Sequence, residues 1–171
     1  MPFTPLHMGP GLAIKAAGGR HFSLMVFGFA QVAMDIEPLV RILRGDSTLH
    51  GVTHTYVGAT FIALASVLLG RPICQLALDY WSPDSSRRFE YWLRGPKKIS
   101  WFAAAAGAFI GTYSHVFLDS IMHGDMKPLA PLSNANSLLH AISIDTLHLG
   151  CIAAGVLGGF ALVLFFALSR R

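Results

Sequence analysis

Three long apolar stretches constrain this chain more than any other feature of its sequence. They cover Val52–Leu69, Ile99–Met122 and Ile142–Leu168. At about 1.5 Å per residue, a helix of such length spans a hydrocarbon layer roughly 30 Å thick. Only 13% of the 171 residues are charged, against roughly 25% in soluble domains, so the chain cannot cover itself with polar side chains. The sequence therefore predicts an all-α, polytopic membrane helical bundle, formed as a single domain over residues 1–171.

The N-terminal region predicts a different kind of element. Its two apolar segments, Pro5–Ala17 and His21–Met34, are separated by Gly18-Gly19, and each is too short to span a bilayer. We expect two short helices in a re-entrant hairpin whose two ends lie at one membrane face. The alternative is one spanning helix, which would leave His7 at the opposite face.

The basic residues predict the orientation of the bundle. Ten of the 13 Lys and Arg residues fall on one side of this arrangement, and Arg41, Arg44 and Lys127 fall on the other. Because cytoplasmic loops are enriched in Lys and Arg, we expect the loop Asp79–Lys98 and the C-terminus to be cytoplasmic. The basic residues form no stripe interleaved with aromatic side chains, so the pattern does not indicate nucleic-acid binding.

Small residues predict where the helices pack closely. Gly107 and Gly111 are four residues apart in the second apolar stretch, and Gly155 and Gly159 repeat this spacing in the third. Such pairs allow two helix backbones to approach each other. The two cysteines have neither the spacing of a zinc motif nor that of a disulfide framework.

Histidines and carboxylates are expected to meet at one level of the bundle, on the side away from the basic loops. Asp35 and Glu37 are expected to end the second short helix. The full set is His7, Asp35, Glu37, His50, His54, His115, Asp119, His123, Asp145 and His148. The i, i+4 spacing of His50 with His54 predicts that both open a helix and share one of its faces. The residues His115, Asp119 and His123 repeat that spacing.

This set of side chains predicts a divalent metal site. Imidazole nitrogens and carboxylate oxygens bind zinc, manganese and iron, and a bound ion offsets the cost of placing ionisable groups at membrane depth. One alternative is a metal-ion or proton-coupled transporter. It would need polar residues to continue towards the basic side, where Val57–Leu69 and Ile152–Leu168 carry almost none. Another is a structural protein whose His–Asp pairs fasten helices together.

Four short motifs occur in the order found in a known family. They are Thr4-Pro5-Leu6-His7, Met34-Asp35-Ile36-Glu37, His50-Gly51-Val52-Thr53-His54-Thr55 and Ser114-His115-Val116-Phe117-Leu118-Asp119. In these motifs the chain resembles the YdjM-like family of inner-membrane-associated, metal-dependent hydrolases of bacteria. The segment Pro128-Leu129-Ala130-Pro131-Leu132-Ser133 resembles the proline-containing loop of that family. A distant similarity of the family to zinc-dependent phospholipase C implies phosphoester hydrolysis by analogy.

The resemblance implies a hydrolase of the bacterial inner membrane, in which a metal-activated water attacks an ester or phosphoester. The implied ligands of one or two ions, zinc or else manganese, are His7, Asp35, His54, His115 and Asp119, followed by His50 and His123. Glu37 is the expected general acid or base. A pocket at the level of the lipid headgroups favours a lipid or lipid-linked substrate. Asp145 and His148 lie beyond the matched motifs and are expected either to bind the metal or to orient its ligands.

Overall fold

The computed structural model describes residues 5–81 and 98–168, and every regular element in these ranges is helical. The longer helices are α1 (Gly9–Gly18), α2 (Leu24–Arg44), α3 (Tyr56–Ala65), α4 (Arg71–Trp81), α5 (Trp101–Met122) and α6 (Ile144–Leu168). Three 3₁₀ turns, Pro5–Met8, Gly19–His21 and Val52–His54, precede α1, α2 and α3, and a π-helical turn, Ser66–Gly70, joins α3 to α4. The expected all-α fold is confirmed.

Within the described ranges, three helices are long and apolar enough to cross a membrane. They are Tyr56–Tyr80, Trp101–Met122 and Ile144–Phe165. The three apolar stretches predicted to span are therefore confirmed as long helices, and the second and third begin within two residues of their expected starts.

The bounds predicted for the first spanning helix were wrong at both ends. The helix begins at Tyr56 rather than Val52, because Val52–His54 form a separate 3₁₀ turn. It does not end at Gly70-Arg71-Pro72, since the π turn leads directly into α4.

The N-terminal segment forms the expected hairpin. Helix α1 runs in the same direction as α6, and α2 returns alongside α5, so both ends of the hairpin lie at one end of the bundle. The buried ammonium of Lys15 donates to the carbonyls of Gly19 and Phe22, both at 2.8 Å, and so satisfies the backbone of the turn. The hydroxyl of Ser23 then accepts from the N–H of Val26 and caps α2.

The sequence predicted that the second short helix ends at Asp35 and Glu37. This was wrong, because α2 continues to Arg44 and is 21 residues long. The carboxylate of Glu37 pairs with Arg41 one turn later, and this i, i+4 contact supports the helix instead of ending it. The helix stops at Gly45, whose φ of 75° lies in the left-handed region that favours glycine.

Glycine contacts position the helix pairs closely, with one correction to the prediction. Gly107 and Gly111 lie against the backbone of α2, as expected. On α6, Gly155 lies against Gly9, but the second contact is made by Gly158 rather than Gly159. A Cβ atom at position 158 would be 2.3 Å from the backbone nitrogen of Ala13, whereas one at position 159 would have no atom within 4 Å.

The described basic residues separate between the two ends of the bundle. Lys15, Arg20, Arg71 and Lys98 lie at the end where α2 and α5 begin, and Arg41, Arg44 and Lys127 lie at the other. The remaining basic residues, together with most of the predicted loop Asp79–Lys98, Thr4 and the C-terminal arginines, fall outside the described residues. Asp79 itself belongs to α4 rather than to a loop.

The two neighbouring glycines of α6 provide a matched test of the contact between α1 and α6. We expect Gly158→Ala to lower the free energy of unfolding by about 1–3 kcal/mol, because the added methyl group meets backbone that cannot move aside cheaply. Gly159→Ala should leave stability unchanged or slightly raised. Thermal unfolding in detergent checks the pair, and equal melting temperatures for the two variants would contradict this packing.

Candidate metal centre

Asp119 is the centre of a group of buried imidazoles at the end of α5. Its Oδ2 atom lies 3.1 Å from Nε2 of His115, 3.5 Å from Nε2 of His54 and 4.0 Å from Nε2 of His50. Metal–nitrogen and metal–oxygen bonds are about 2.0–2.2 Å long, so two ligands of one ion lie roughly 3–4 Å apart. Each of the three imidazoles therefore lies at ligand spacing from Asp119, and His50 and His54 form with it one group that could hold an ion.

The second oxygen of Asp119 faces two further imidazoles. Its Oδ1 atom lies 3.8 Å from Nε2 of His7 and 4.0 Å from Nε2 of His123. Oδ1 of Asp35, on α2, lies 3.3 Å from Nε2 of His115. The seven residues His7, Asp35, His50, His54, His115, Asp119 and His123, hereafter the Asp119 cluster, are the seven ligands that the sequence and the family resemblance predicted, and the structure brings all of them together.

Several ring nitrogens of the cluster are buried without a hydrogen bond to any described residue. They include Nε2 of His54 and both nitrogens of His7. An unsatisfied buried polar atom costs about 1–3 kcal/mol, so such atoms are rare unless something else binds them. A cation that accepts their lone pairs would remove this cost.

The other nitrogen of two cluster histidines is hydrogen-bonded away from Asp119. Nδ1 of His115 donates to Oε1 of Gln31 at 2.5 Å, and Nδ1 of His50 donates to Oδ1 of Asp125 at 2.7 Å. A neutral ring that donates from Nδ1 has its lone pair on Nε2, the nitrogen that faces Asp119. Metal-binding histidines are typically oriented in this way, by a carbonyl or carboxylate oxygen on the opposite ring nitrogen.

A chain of contacts orients His54 in the same manner. The hydroxyl of Thr53 donates its single hydrogen to Oε2 of Glu37 at 2.5 Å, so at 3.0 Å from Nδ1 of His54 it accepts. The backbone N–H of Thr53 also donates to Glu37, at 2.9 Å. The other oxygen of Glu37 accepts from Arg41 at 2.8 and 3.0 Å. Glu37 thus acts on His54 through Thr53.

The ionisation states outside the spanning helices agree with this arrangement. Burial lowers the pKa of His7 to about 4 and that of His54 to about 3, so both rings are neutral near pH 7. Burial alone would raise the pKa of Glu37, but the hydrogen bonds from Thr53 and the pairing with Arg41 lower it below its usual value. Glu37 is therefore a carboxylate at neutral pH.

Two loops carry the part of the cluster that lies outside the helices. The backbone N–H groups of Leu49 and His50 both donate to Oδ2 of Asp125, and that of Tyr56 donates to the carbonyl of Pro128. The prediction that His50 and His54 share one face of a helix was wrong, since His50 lies in the loop and His54 in the 3₁₀ turn. The loop contacts with the segment after α5 nevertheless bring both to Asp119.

The two residues of α6 singled out in the sequence lie at the margin of the site. Asp145 is exposed in the first turn of the helix and belongs to none of the described groups that could hold an ion. His148 is half-buried and close enough to His7 to influence its charge, and its Nε2 makes no hydrogen bond with a described residue. Neither side chain orients a ligand through a described hydrogen bond.

Sequence reasoning missed the residues that hold the ligands in place, namely Gln31, Thr53 and Asp125. Gln31 is a lone amide in an apolar helix, one turn before Asp35, and that isolation was a usable signal. Asp125 follows His123 by two residues. Nothing in the local pattern pairs it with His50, which lies 75 residues earlier in the chain.

No protein-family model, curated protein or solved structure matches this chain. The resemblance to the YdjM-like family therefore depends on the motifs alone, and the chemistry must be argued from the Asp119 cluster.

The amide of Gln31 provides a test of ligand orientation. We expect Gln31→Met, which keeps the bulk but removes the acceptor of His115 Nδ1, to lower metal affinity by about 10- to 100-fold. Gln75→Met is the control, because Gln75 bonds the backbone of Ile99 at the opposite end of the bundle. Competition with a chelator of known affinity measures both variants. Equal affinities would show that Gln31 does not support the site.

Proposed function

We propose that this chain is a metal-dependent hydrolase of the bacterial inner membrane, similar to the YdjM-like family, with its active centre at the outer membrane face. The observation that carries this proposal is the directed arrangement of the imidazoles. Three of them are tethered at Nδ1 and present Nε2 to the same buried carboxylate of Asp119. Helix-fastening pairs would not need this arrangement, and would not leave Nε2 of His54 and both nitrogens of His7 unbonded.

The composition of the cluster favours two ions. Five imidazoles and two carboxylates exceed the four ligands of a tetrahedral zinc site. Oδ1 of Asp119 lies nearest His7 and His123, and Oδ2 lies nearest His50, His54 and His115. The groups that could each hold an ion overlap, because His115 is grouped with His7 as well as with His54. We therefore propose two divalent ions that share Asp119. Zinc is favoured by the number of imidazoles, and manganese is the second choice.

The substrate class follows from the chemistry that such a centre supports. Divalent ions lower the pKa of a bound water to about 7 and stabilise negative charge on a carbonyl or phosphoryl oxygen, which suits hydrolysis of an ester or phosphoester. The chain's own residues hold the ions, keep each ligand ring in one orientation and bury the site against the helices. The position at one end of spanning helices favours a lipid or lipid-linked substrate.

The interior below the cluster argues against the transporter alternative. The space between α2, α3 and α5 is filled mainly by small apolar side chains, among them Val26, Ala30, Ala63, Ala104 and Ala108. The buried hydroxyls of Ser66 and Thr112 are isolated among them. A path for ions or protons needs polar groups that continue to the far side. The apolar filling supports a site that opens at one end only.

The distribution of basic residues supports the proposed sidedness. The end opposite the cluster carries Lys15, Arg20, Arg71 and Lys98, as cytoplasmic ends do. The Asp119 cluster then faces the outside, and the C-terminus of the chain is cytoplasmic.

The metal content of the purified protein is the first test. We expect about two zinc or manganese ions per chain by plasma mass spectrometry, and a loss of metal in Asp119→Asn and in His54→Gln. His21→Gln is the matched control, because His21 is exposed at the opposite end of the bundle. A folded wild-type protein that contains no metal and takes up none on dialysis would refute the hydrolase. The His–Asp pairs would then be helix fasteners or a proton path.

The role of Glu37 is tested by comparing two substitutions. If Glu37 acts through Thr53, Glu37→Gln and Thr53→Val should both weaken metal binding, each by about tenfold or more, because both disturb the acceptor of His54 Nδ1. If Glu37 is the acid or base that the sequence predicted, Glu37→Gln should lower kcat about 100-fold or more with its metal retained. Thr53→Val would then be mild. Metal titration and single-substrate kinetics separate the two roles.

A further inference from the structure

A cavity of about 260 Å³ lies directly beside the Asp119 cluster, and the cluster residue His50 forms part of its wall. The same wall contains two cationic side chains, Arg41 from α2 and Lys127 from the turn after α5. These two residues and Arg44 are the basic residues that the structure describes at this end of the bundle. The cavity therefore places two positively charged side chains next to the proposed reaction centre.

Arg41 is held in place before any ligand arrives. Its Nε and Nη2 atoms donate to Glu37, and Nη1 donates to the carbonyl of Thr48 at 3.3 Å. A guanidinium has five N–H groups, so two remain free to donate. A Cβ atom at position 51 would lie 2.4 Å from Nη2 of Arg41, so Gly51 is needed for this placement. Because the side chain is already ordered, binding an anion costs it little further entropy.

Lys127 contributes a charge that the fold itself does not use. Its side chain is exposed and makes no hydrogen bond or ion pair with a described residue. The carboxylate in the same wall, Asp125, is occupied by the ring of His50 and by two backbone N–H groups. The ammonium group is thus free to bind an anion from outside the chain.

We propose that Arg41 and Lys127 form a phosphate-binding subsite, which holds an anionic phosphate group of the substrate beside His50. An arginine fork and a lysine point charge are the usual pair of side chains for this chemistry. The largely exposed Val52 lines the same cavity and offers an apolar contact to the rest of an amphiphile. The role in catalysis rests on the proposed hydrolase, whereas the binding of phosphate does not.

The subsite is tested by binding, on the full-length chain purified in detergent. Inorganic phosphate and dihexanoyl phosphatidic acid are titrated calorimetrically into wild type, Lys127→Gln, Lys127→Arg and Lys98→Gln, with the metal content of each sample measured. We expect Lys127→Gln to lower the affinity for both ligands by about tenfold, which is what the loss of one charge-assisted contact is worth. Lys127→Arg should stay within about threefold of wild type, since it keeps the charge. Lys98→Gln should not differ, because Lys98 is exposed at the opposite end.

The outcomes separate this proposal from the function it extends. No phosphate binding by wild type, or equal affinity in wild type and Lys127→Gln, would overturn the subsite even if the protein binds metal and hydrolyses esters. Phosphate binding that depends on Lys127, in a folded protein that contains no metal and takes up none on dialysis, would support the subsite and refute the hydrolase. Tighter binding of phosphatidic acid than of inorganic phosphate identifies a lipid headgroup as the source of the bound phosphate group. Equal affinities identify free phosphate as the ligand.

Discussion

The burial of the Asp119 carboxylate is the constraint around which the rest of the site is arranged. A charge at that depth is costly unless it is paired, and the chain places imidazoles from separate segments around it. Those imidazoles are themselves buried and incompletely hydrogen-bonded. The cluster is therefore a poor device for stability by itself and a good one for holding cations.

The hairpin and its close helix contacts bring His7 and Asp35 to this cluster. His7 reaches Asp119 only because α1 lies against α6, where Gly9 meets Gly155 at backbone distance. Asp35 reaches His115 because Gly107 and Gly111 let α2 approach α5. Without a hydrophobic driving force between helices in lipid, such packing is the main source of helix association.

The ion pair between Glu37 and Arg41 links the metal centre to the cavity beside it. One side of the pair orients His54 through Thr53, and the other presents the guanidinium to the cavity wall. The orientation of the metal ligand His54 and the recognition of substrate phosphate would then depend on the same ion pair, so a substitution at Arg41 would affect both. The test of the subsite accordingly rests on Lys127, whose side chain makes no described hydrogen bond or ion pair with His50 or Asp125, although all three line the cavity.

The sequence by itself determined whatever depends on neighbours along the chain. Apolar length predicted the spanning helices, and i, i+4 spacing placed His115 and Asp119 on one face of α5, because helix periodicity is local. His123 lies just beyond the end of that helix, in extended backbone. Tertiary structure decided the turn that carries His54 and the bonds of Gln31 and Asp125. Each of these depends on a partner distant in sequence, and a hydrogen bond across 75 or 84 residues leaves no periodic trace.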